Sequence, residues 1–477
     1  MDGSTIRHRL DRLTPLDVSN LRVEERGLPM HVAALAVLDG TPLLDASGQV
    51  QLDAVRLRLE RRLHRAPRLC QKLHRPRIGL GPPVWVDDPA FDIDAHLRVR
   101  AVPAPGDEAA LLKLCAELNQ PPLHRGRPLW EMWLLPGLAD GNVGLLVRFH
   151  HVVADGIAAL EMIGALLDPA PDSTRGPTSL GVQEDMAAAS KWTPRRVPAT
   201  SVLLADNLAR WRVGAGRALS LIRRPTVEAR RLAAVGDQIR QGFREGLAPK
   251  VSFNRAVGAH RQMRLVRTNL DSVKTVAHAH GATVNDVVLA AVAGGARRLL
   301  GGRQELEPGL LLKATVAASI RGAADEAGGN RVAILLAPLP VGEPDPVRRL
   351  EHIEHATAER KRHAPYQPNA RFAQRWMVRT MFHQRLVNVF TSNLRGPSAP
   401  LALAGARVLE LFQVGVVQGN VTIAVGTLSY AGQLNINVVG DADAVPDLGA
   451  FAEGLADTLV ELGIDLQARR GLSPRDA

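Results

Sequence analysis

Residues 143–149 read Val-Gly-Leu-Leu-Val-Arg-Phe, a nearly unbroken apolar run of strand length. It ends on His150-His151-Val152-Val153-Ala154-Asp155-Gly156. Neighbouring side chains of a strand point to opposite faces, so the two histidines are expected to meet different surroundings. Asp155-Gly156 favours a turn, and beyond it Ile157, Leu160, Ile163, Leu166 and Leu167 recur at helical spacing. The local pattern is strand, histidine pair, turn, helix. Residues 52–63 read as an amphipathic helix that must end before Pro67, and 109–118 as another. In the second half, 311–317 and 332–337 read as strands and 287–300 as a helix. Residues 420–428 and 433–439 read as paired strands joined by Ser429-Tyr430-Ala431-Gly432. Strands and helices alternate throughout, which predicts an α/β (α+β) chain.

At 477 residues the chain exceeds the ~250 to 300 at which one core stops growing, so two domains are expected. Breakers cluster at 169–177, which include Pro169, Pro171, Gly176 and Pro177. This divides the chain into 1–180, an Arg-rich helical linker 181–252, and 253–477. The net charge of +11 is concentrated in that linker, where eleven arginines from Arg195 to Arg244 face Asp206, Glu228 and Asp237, a local excess of 11 − 3 = +8. Leu203, Leu204, Leu208, Trp211, Leu219 and Ile222 lie among them, a pattern compatible with an interfacial helix on an anionic membrane or lipid droplet. It is equally compatible with a linker helix whose guanidinium groups stay in water. A nucleic-acid partner is not expected, because the segment has a single aromatic before Phe243 and the chain carries no recognised binding module.

Two cysteines, Cys70 and Cys115, give no disulfide framework and point to a reducing cytoplasm. The first residues lack a secretory apolar stretch, and no later segment reaches the ~18 uninterrupted apolar residues of a membrane span. The expected location is cytoplasmic, with peripheral contact with the inner membrane or lipid droplets as an added expectation.

A histidine with an ordinary pKa of about 6.5, set at a cleft mouth, suits general-base activation of a hydroxyl or thiol. A histidine pair is also compatible with burial against backbone groups. Metal ligation ranks lowest, since no Cys or carboxylate cluster stands nearby at ligand spacing. No Gly-x-Ser-x-Gly elbow is found, which argues against a serine hydrolase of that type.

The His-His-x-x-x-Asp-Gly block resembles the CoA-dependent acyltransferase superfamily. Within it the chain is similar to the bacterial wax ester synthase/acyl-CoA:diacylglycerol acyltransferases. The blocks that carry the resemblance run in order through Leu13-Thr14-Pro15-Leu16-Asp17, Pro29-Met30-His31-Val32, Pro128-Leu129-Trp130-Glu131 and 283–290 with Asn285-Asp286. They continue through Ser319-Ile320-Arg321, Gly329-Asn330, Leu428-Ser429-Tyr430, Gly432 and Asp441. One departure stands at Leu394-Arg395, where the family usually has Val-Pro.

The resemblance implies two chloramphenicol-acetyltransferase-like domains, each a mixed sheet backed by helices, with a tunnel between them. It implies acyl transfer from acyl-CoA, a substrate and not a cofactor, to the hydroxyl of diacylglycerol or a long-chain alcohol. His151 is the implied general base, His150 a positioning residue, Asp155 a structural brace and Gly156 the turn residue. Asn285 is a candidate oxyanion donor; capping of the following helix is the simpler reading for Asn285 and Asp286. Pro128, Leu129, Trp130 and Asp286 are assigned to the tunnel wall or to packing. No metal or cofactor is expected. A carrier-protein-linked or condensation-type enzyme, and an idle lipid-surface-binding protein, are the alternatives. Nothing in the sequence chooses between the two acceptors.

Overall fold

Thr14, Pro15 and Asp17 start the first helix, α1 (Pro15–Glu24). The Thr14 hydroxyl accepts from the Asp17 amide, the Asp17 carboxylate accepts from the Thr14 amide, and the proline sits where no N–H is needed. The computed structural model describes residues 10–25, 27, 29–170, 194, 197–223, 246–319, 332–362 and 383–469. Within them the chain continues through β1 (His31–Leu38), α2 (Leu52–Arg62), β2 (Gln71–His74), β3 (Val84–Asp87), β4 (Leu97–Val99) and α3 (Glu108–Asn119). Next come β5 (Trp130–Leu135), β6 (Val143–His150), α4 (Gly156–Leu166), β7 (Asp168–Pro169) and α5 (Thr200–Arg223). The second half holds β8 (Arg261–Asn269), α6 (Leu270–Ala279), α7 (Val284–Gly302), β9 (Leu311–Ser319), β10 (Val332–Pro340) and α8 (Pro346–Arg362). It closes with β11 (Val389–Arg395), β12 (Leu401–Leu403), β13 (Ala406–Val414), β14 (Ile423–Tyr430), β15 (Gln433–Asp441) and α9 (Leu448–Glu461).

Two mixed sheets result, in strand orders β4-β5-β6-β1-β13-β12-β7 and β10-β9-β11-β14-β15-β8. Parallel pairs occur at β4/β5 in the first and at β11/β14 and β11/β9 in the second. The two sheets do not follow the order of the chain. Strands β12 and β13, although they belong to the C-terminal part, complete the first sheet, with β13 antiparallel to β1 and Gln413 opposite Ala34. From there β13 also lies against the second sheet, where Gln433 and Asn435 on β15 donate to the carbonyls of Leu409 and Leu411.

Three large apolar clusters stand out among the described residues. One lies on the face of the first sheet that carries Ala34, Val147 and Phe149, under α2 and α4. Another lies on the opposite face, around Leu35, Leu146 and Phe412, and is covered by α3. The third surrounds α7, whose residues from Val287 to Ala296 are buried between α9 and the second sheet.

Several element ends differ from the periodicity. The hairpin between β14 and β15 turns on Ala431 and Gly432 alone, both at positive φ (45° and 81°), so Ser429 and Tyr430 belong to the strand. Two residues at positive φ match the twist of flanking strands. Helix α7 starts at Val284, three residues before the first apolar repeat, because Thr283 caps it. Ile320-Arg321, Gly329-Asn330, Arg195, Arg196 and the arginines from Arg224 to Arg244 lie outside the described residues.

Candidate active site

Strand β6 delivers His150 as its last residue, opposite His31, the first residue of β1. His151 is already in the turn that follows, so the alternation expected of two strand residues is replaced by a strand end and a turn start. The turn is anchored by the His151 N–H, which donates to the Met30 carbonyl at 2.7 Å. Asp155 is the N-cap of α4, and its carboxylate accepts from the Ala158 amide at 2.9 Å. That bond gives the expected brace a partner in the backbone of the helix it starts. Gly156 is the first residue of α4, and close packing explains it better than turn geometry. A Cβ there would lie 3.1 Å from Leu394 Cδ1 and 3.4 Å from Gln413 Nε2.

His150 is fully buried, and one of its ring nitrogens is hydrogen-bonded. Its Nδ1 accepts from the Val152 amide at 3.1 Å, which leaves the proton of the neutral ring on Nε2. That Nε2 lies 3.4 Å from Glu24 Oε2. On the other Glu24 oxygen stands His31 Nε2 at 3.5 Å, while His31 Nδ1 donates to the Asn119 carbonyl at 3.2 Å. Both approaches to Glu24 are too long for well-formed hydrogen bonds, and each ring nitrogen faces the carboxylate without bonding to it. Arg125 completes the cluster, donating to Glu24 Oε2 through Nε and Nη2 at 3.1 and 2.6 Å.

Burial alone would raise the Glu24 carboxyl, but His150, His31 and Arg125 together hold it well below the usual carboxylate range. Burial lowers His31, and the neighbouring carboxylate offsets only part of that. Sequence reasoning missed Glu24 and Arg125 as members of this site. His31 was visible only as a letter in the Pro29-Met30-His31-Val32 block.

His151 differs in kind. It is half-buried, and its ring has no hydrogen-bond partner among the described residues. On the sheet face opposite the Glu24 cluster lies an apolar crevice lined by Val32, Phe149, Gly156, Ile163, Leu394, Leu428 and Gln413. It sits where α4 and the first sheet meet β11 and β14 of the second. Leu394, at the position of the departure noted above, is part of its wall, whereas Arg395 at the end of β11 is exposed.

The remaining predicted residues sit elsewhere. Pro128, Leu129 and Trp130 are buried in the first core. Trp130 Nε1 donates to the Leu69 carbonyl at 2.8 Å, and its ring stacks on His96 at 4.6 Å. Trp130 pairs with Phe149, so its side chain stands beside that crevice residue on the same face of the sheet. Asp286, at the third helical position of α7, accepts from the Thr283 amide at 2.9 Å and from the Thr357 hydroxyl at 2.7 Å. Its role is capping and cross-bracing to α8. Asn285 is half-buried at the second helical position, and no hydrogen bond among the described residues links it to the His150–Asp155 turn. No group of three metal-ligating side chains is found among the described residues.

A two-sheet α/β fold with a histidine turn beside an apolar crevice defines an acyltransferase-like class. Residues 13–288 match the wax ester synthase/diacylglycerol acyltransferase catalytic domain, and 328–463 match the C-terminal domain of the same family. A Mycobacterium tuberculosis protein named as a probable diacylglycerol O-acyltransferase is 31% identical over 98% of both chains. The solved wax ester synthase/diacylglycerol acyltransferase of Marinobacter aquaeolei covers 94% of this chain and 98% of its own, at TM-score 0.65 and 25% identity. The first condensation domain of the calcium-dependent antibiotic synthetase, 16% identical over 96% of this chain and 97% of its own, shares the fold at TM-score 0.59. The chain belongs to the wax ester synthase/diacylglycerol acyltransferase family and is an acyl-CoA-dependent O-acyltransferase.

Proposed function

We propose that His151 is the general base that takes the proton of an acceptor hydroxyl as its oxygen attacks the thioester carbonyl of acyl-CoA. The tetrahedral intermediate then collapses with loss of the CoA thiol, giving an ester. The observation that carries this reading is the contrast between neighbours: the His150 ring is fully buried, with Nδ1 bonded to the Val152 amide and Nε2 facing Glu24, while the half-buried His151 ring makes no hydrogen bond among the described residues. A positioned base contributes roughly 10² to 10⁴ in rate. The acceptors that fit an apolar crevice in this family are diacylglycerol and long-chain alcohols, giving triacylglycerol or wax ester. The test is acceptor-dependent release of CoA thiol from long-chain acyl-CoA, with identification of the lipid product. CoA release that ignores both acceptors would refute it.

A peripheral contact with anionic lipid is the second part of the reading. Helix α5 docks on the first half through Leu203, buried against Val84 and Val86, and through Asp206, which pairs with Arg12 at 2.5 Å. An adjoining stripe of Leu204, Leu208 and Trp211 is exposed, Trp211 to 73%, with exposed Arg212 beside it. Apolar side chains flanked by arginine favour an anionic lipid surface. No helix among the described residues is long and apolar enough to cross a membrane.

A further inference from the structure

We propose that the carboxamide of Gln413 recognises the oxygen of the acyl acceptor. Among the described side chains that line the apolar crevice, Gln413 alone is polar. It is 7% exposed, and its Nε2 lies beside Gly156, the first residue of the helix that follows the histidine turn. Its Nε2 donates to Ser392 Oγ at 3.1 Å, and its Oε1 is buried without a partner among the described residues. Buried carboxamides normally have their hydrogen bonds satisfied, so an unpaired carboxamide oxygen on a residue of the crevice wall marks a place for a polar ligand atom.

The backbone holds the group in place. A Cβ on Gly426 would lie 2.8 Å from the Gln413 carbonyl, so the glycine lets β13 come down onto β14 there. Asn437, paired with Gly426 on β15, is fully buried, and its carboxamide also lacks a partner among the described residues. A half-paired amide and an unpaired one among the described residues thus stand near each other where the two sheets meet.

The chemistry chooses the ligand. A serine hydroxyl can donate as well as accept, so the Gln413 carboxamide can turn over and present its N–H to the crevice while Ser392 bonds to Oε1. An acceptor alcohol gives its single proton to the base, and its oxygen then needs a donor. The turned carboxamide supplies one. The acyl chain, by contrast, offers nothing to bond. Gln413 is therefore assigned to the acceptor side of the reaction, on diacylglycerol and long-chain alcohol alike, an assignment that rests on the acyl-transfer reading above.

The experiment measures CoA release by the full chain with saturating acyl-CoA and varied alcohol or diacylglycerol, for the wild type, Gln413→Leu, Gln413→Glu and Ser392→Ala. Wild-type activity must appear first; its absence would refute acyl transfer itself and not this assignment. Loss of one neutral hydrogen bond predicts an acceptor KM raised about tenfold in Gln413→Leu, with the KM for acyl-CoA within about twofold of wild type. Gln413→Glu keeps the shape but cannot donate when ionised, so it should behave like Gln413→Leu, and Ser392→Ala should show a smaller rise in the same constant. An unchanged acceptor KM in Gln413→Leu and Gln413→Glu, or a rise in the acyl-CoA KM instead, overturns the assignment. So does a fall in kcat alone that tracks lost thermal stability.

Discussion

Glu24 Oε2 lies 3.4 Å from His150 Nε2, inside a cluster with no more than a twentieth of either side chain exposed. The carboxylate links α1 to the ends of β1 and β6, where the histidine turn begins. The His150 ring lies between the Val152 amide and Glu24 where the chain leaves the strand, as a positioning residue would.

Removing that negative charge takes from Arg125 its ion pair with Glu24 and from the two histidines the carboxylate they face. Breaking one partner of a buried ionic cluster typically costs about 3 to 5 kcal/mol. Glu24→Gln is expected to lower the denaturation midpoint accordingly, as measured by urea unfolding at pH 7.5. A change within about 0.5 kcal/mol would show that the cluster contributes little.

The same cluster predicts a pH dependence with a defined sign. Burial lowers His31 from its ordinary 6.5, so the unfolded chain takes up the proton first and stability falls as pH drops below that value. Glu24 is also lowered, so its contribution is complete above the ordinary carboxylate value of 4.5 and is lost as pH falls further. Both act in the same direction. Unfolding free energy should decline from pH 7.5 to 5.5 through His31, and His31→Gln should flatten that slope. Equal slopes for the two proteins would rule His31 out.

The reach of the sequence follows from the range of the interactions. Strand β6, the turn and α4 were legible because an apolar run, Asp155-Gly156 and a 3.6-residue repeat are local signals. Helix α7 was legible except for its start, which Thr283 and Asp286 set through a capping box that extends the helix past its apolar repeat. The Glu24 cluster was not legible, because Arg125 is 101 residues from Glu24 and a carboxylate leaves no periodic trace. Likewise, no local pattern tells that β13 joins β1 across the chain, and this crossover puts Gln413 beside Gly156.

Gly156 tests the packing of the crevice. A larger side chain must push against Leu394 and Gln413, and overpacking typically costs about 1 to 3 kcal/mol. Gly156→Val is expected to lower kcat/KM at least tenfold while Gly156→Ala, which needs a shift of only a few tenths of an ångström, retains much of the activity. Steady-state CoA release separates the two, and wild-type activity in Gly156→Val would mean that the crevice does not serve the reaction.

The exposed stripe of α5 makes a separate prediction. Leu208→Glu with Trp211→Glu should weaken co-sedimentation with anionic vesicles, and wild-type binding should fall with added salt. Binding that is unchanged by both would place any lipid contact elsewhere.

The central claim is that His151, and not its buried neighbour, is the base. The most direct measurement is acceptor-dependent CoA release by His151→Ala, with thermal unfolding measured on the same sample. The expected result is a loss of about 10² to 10⁴ in kcat at unchanged stability. Release at a rate near that of the wild type from a folded His151→Ala protein would contradict the account.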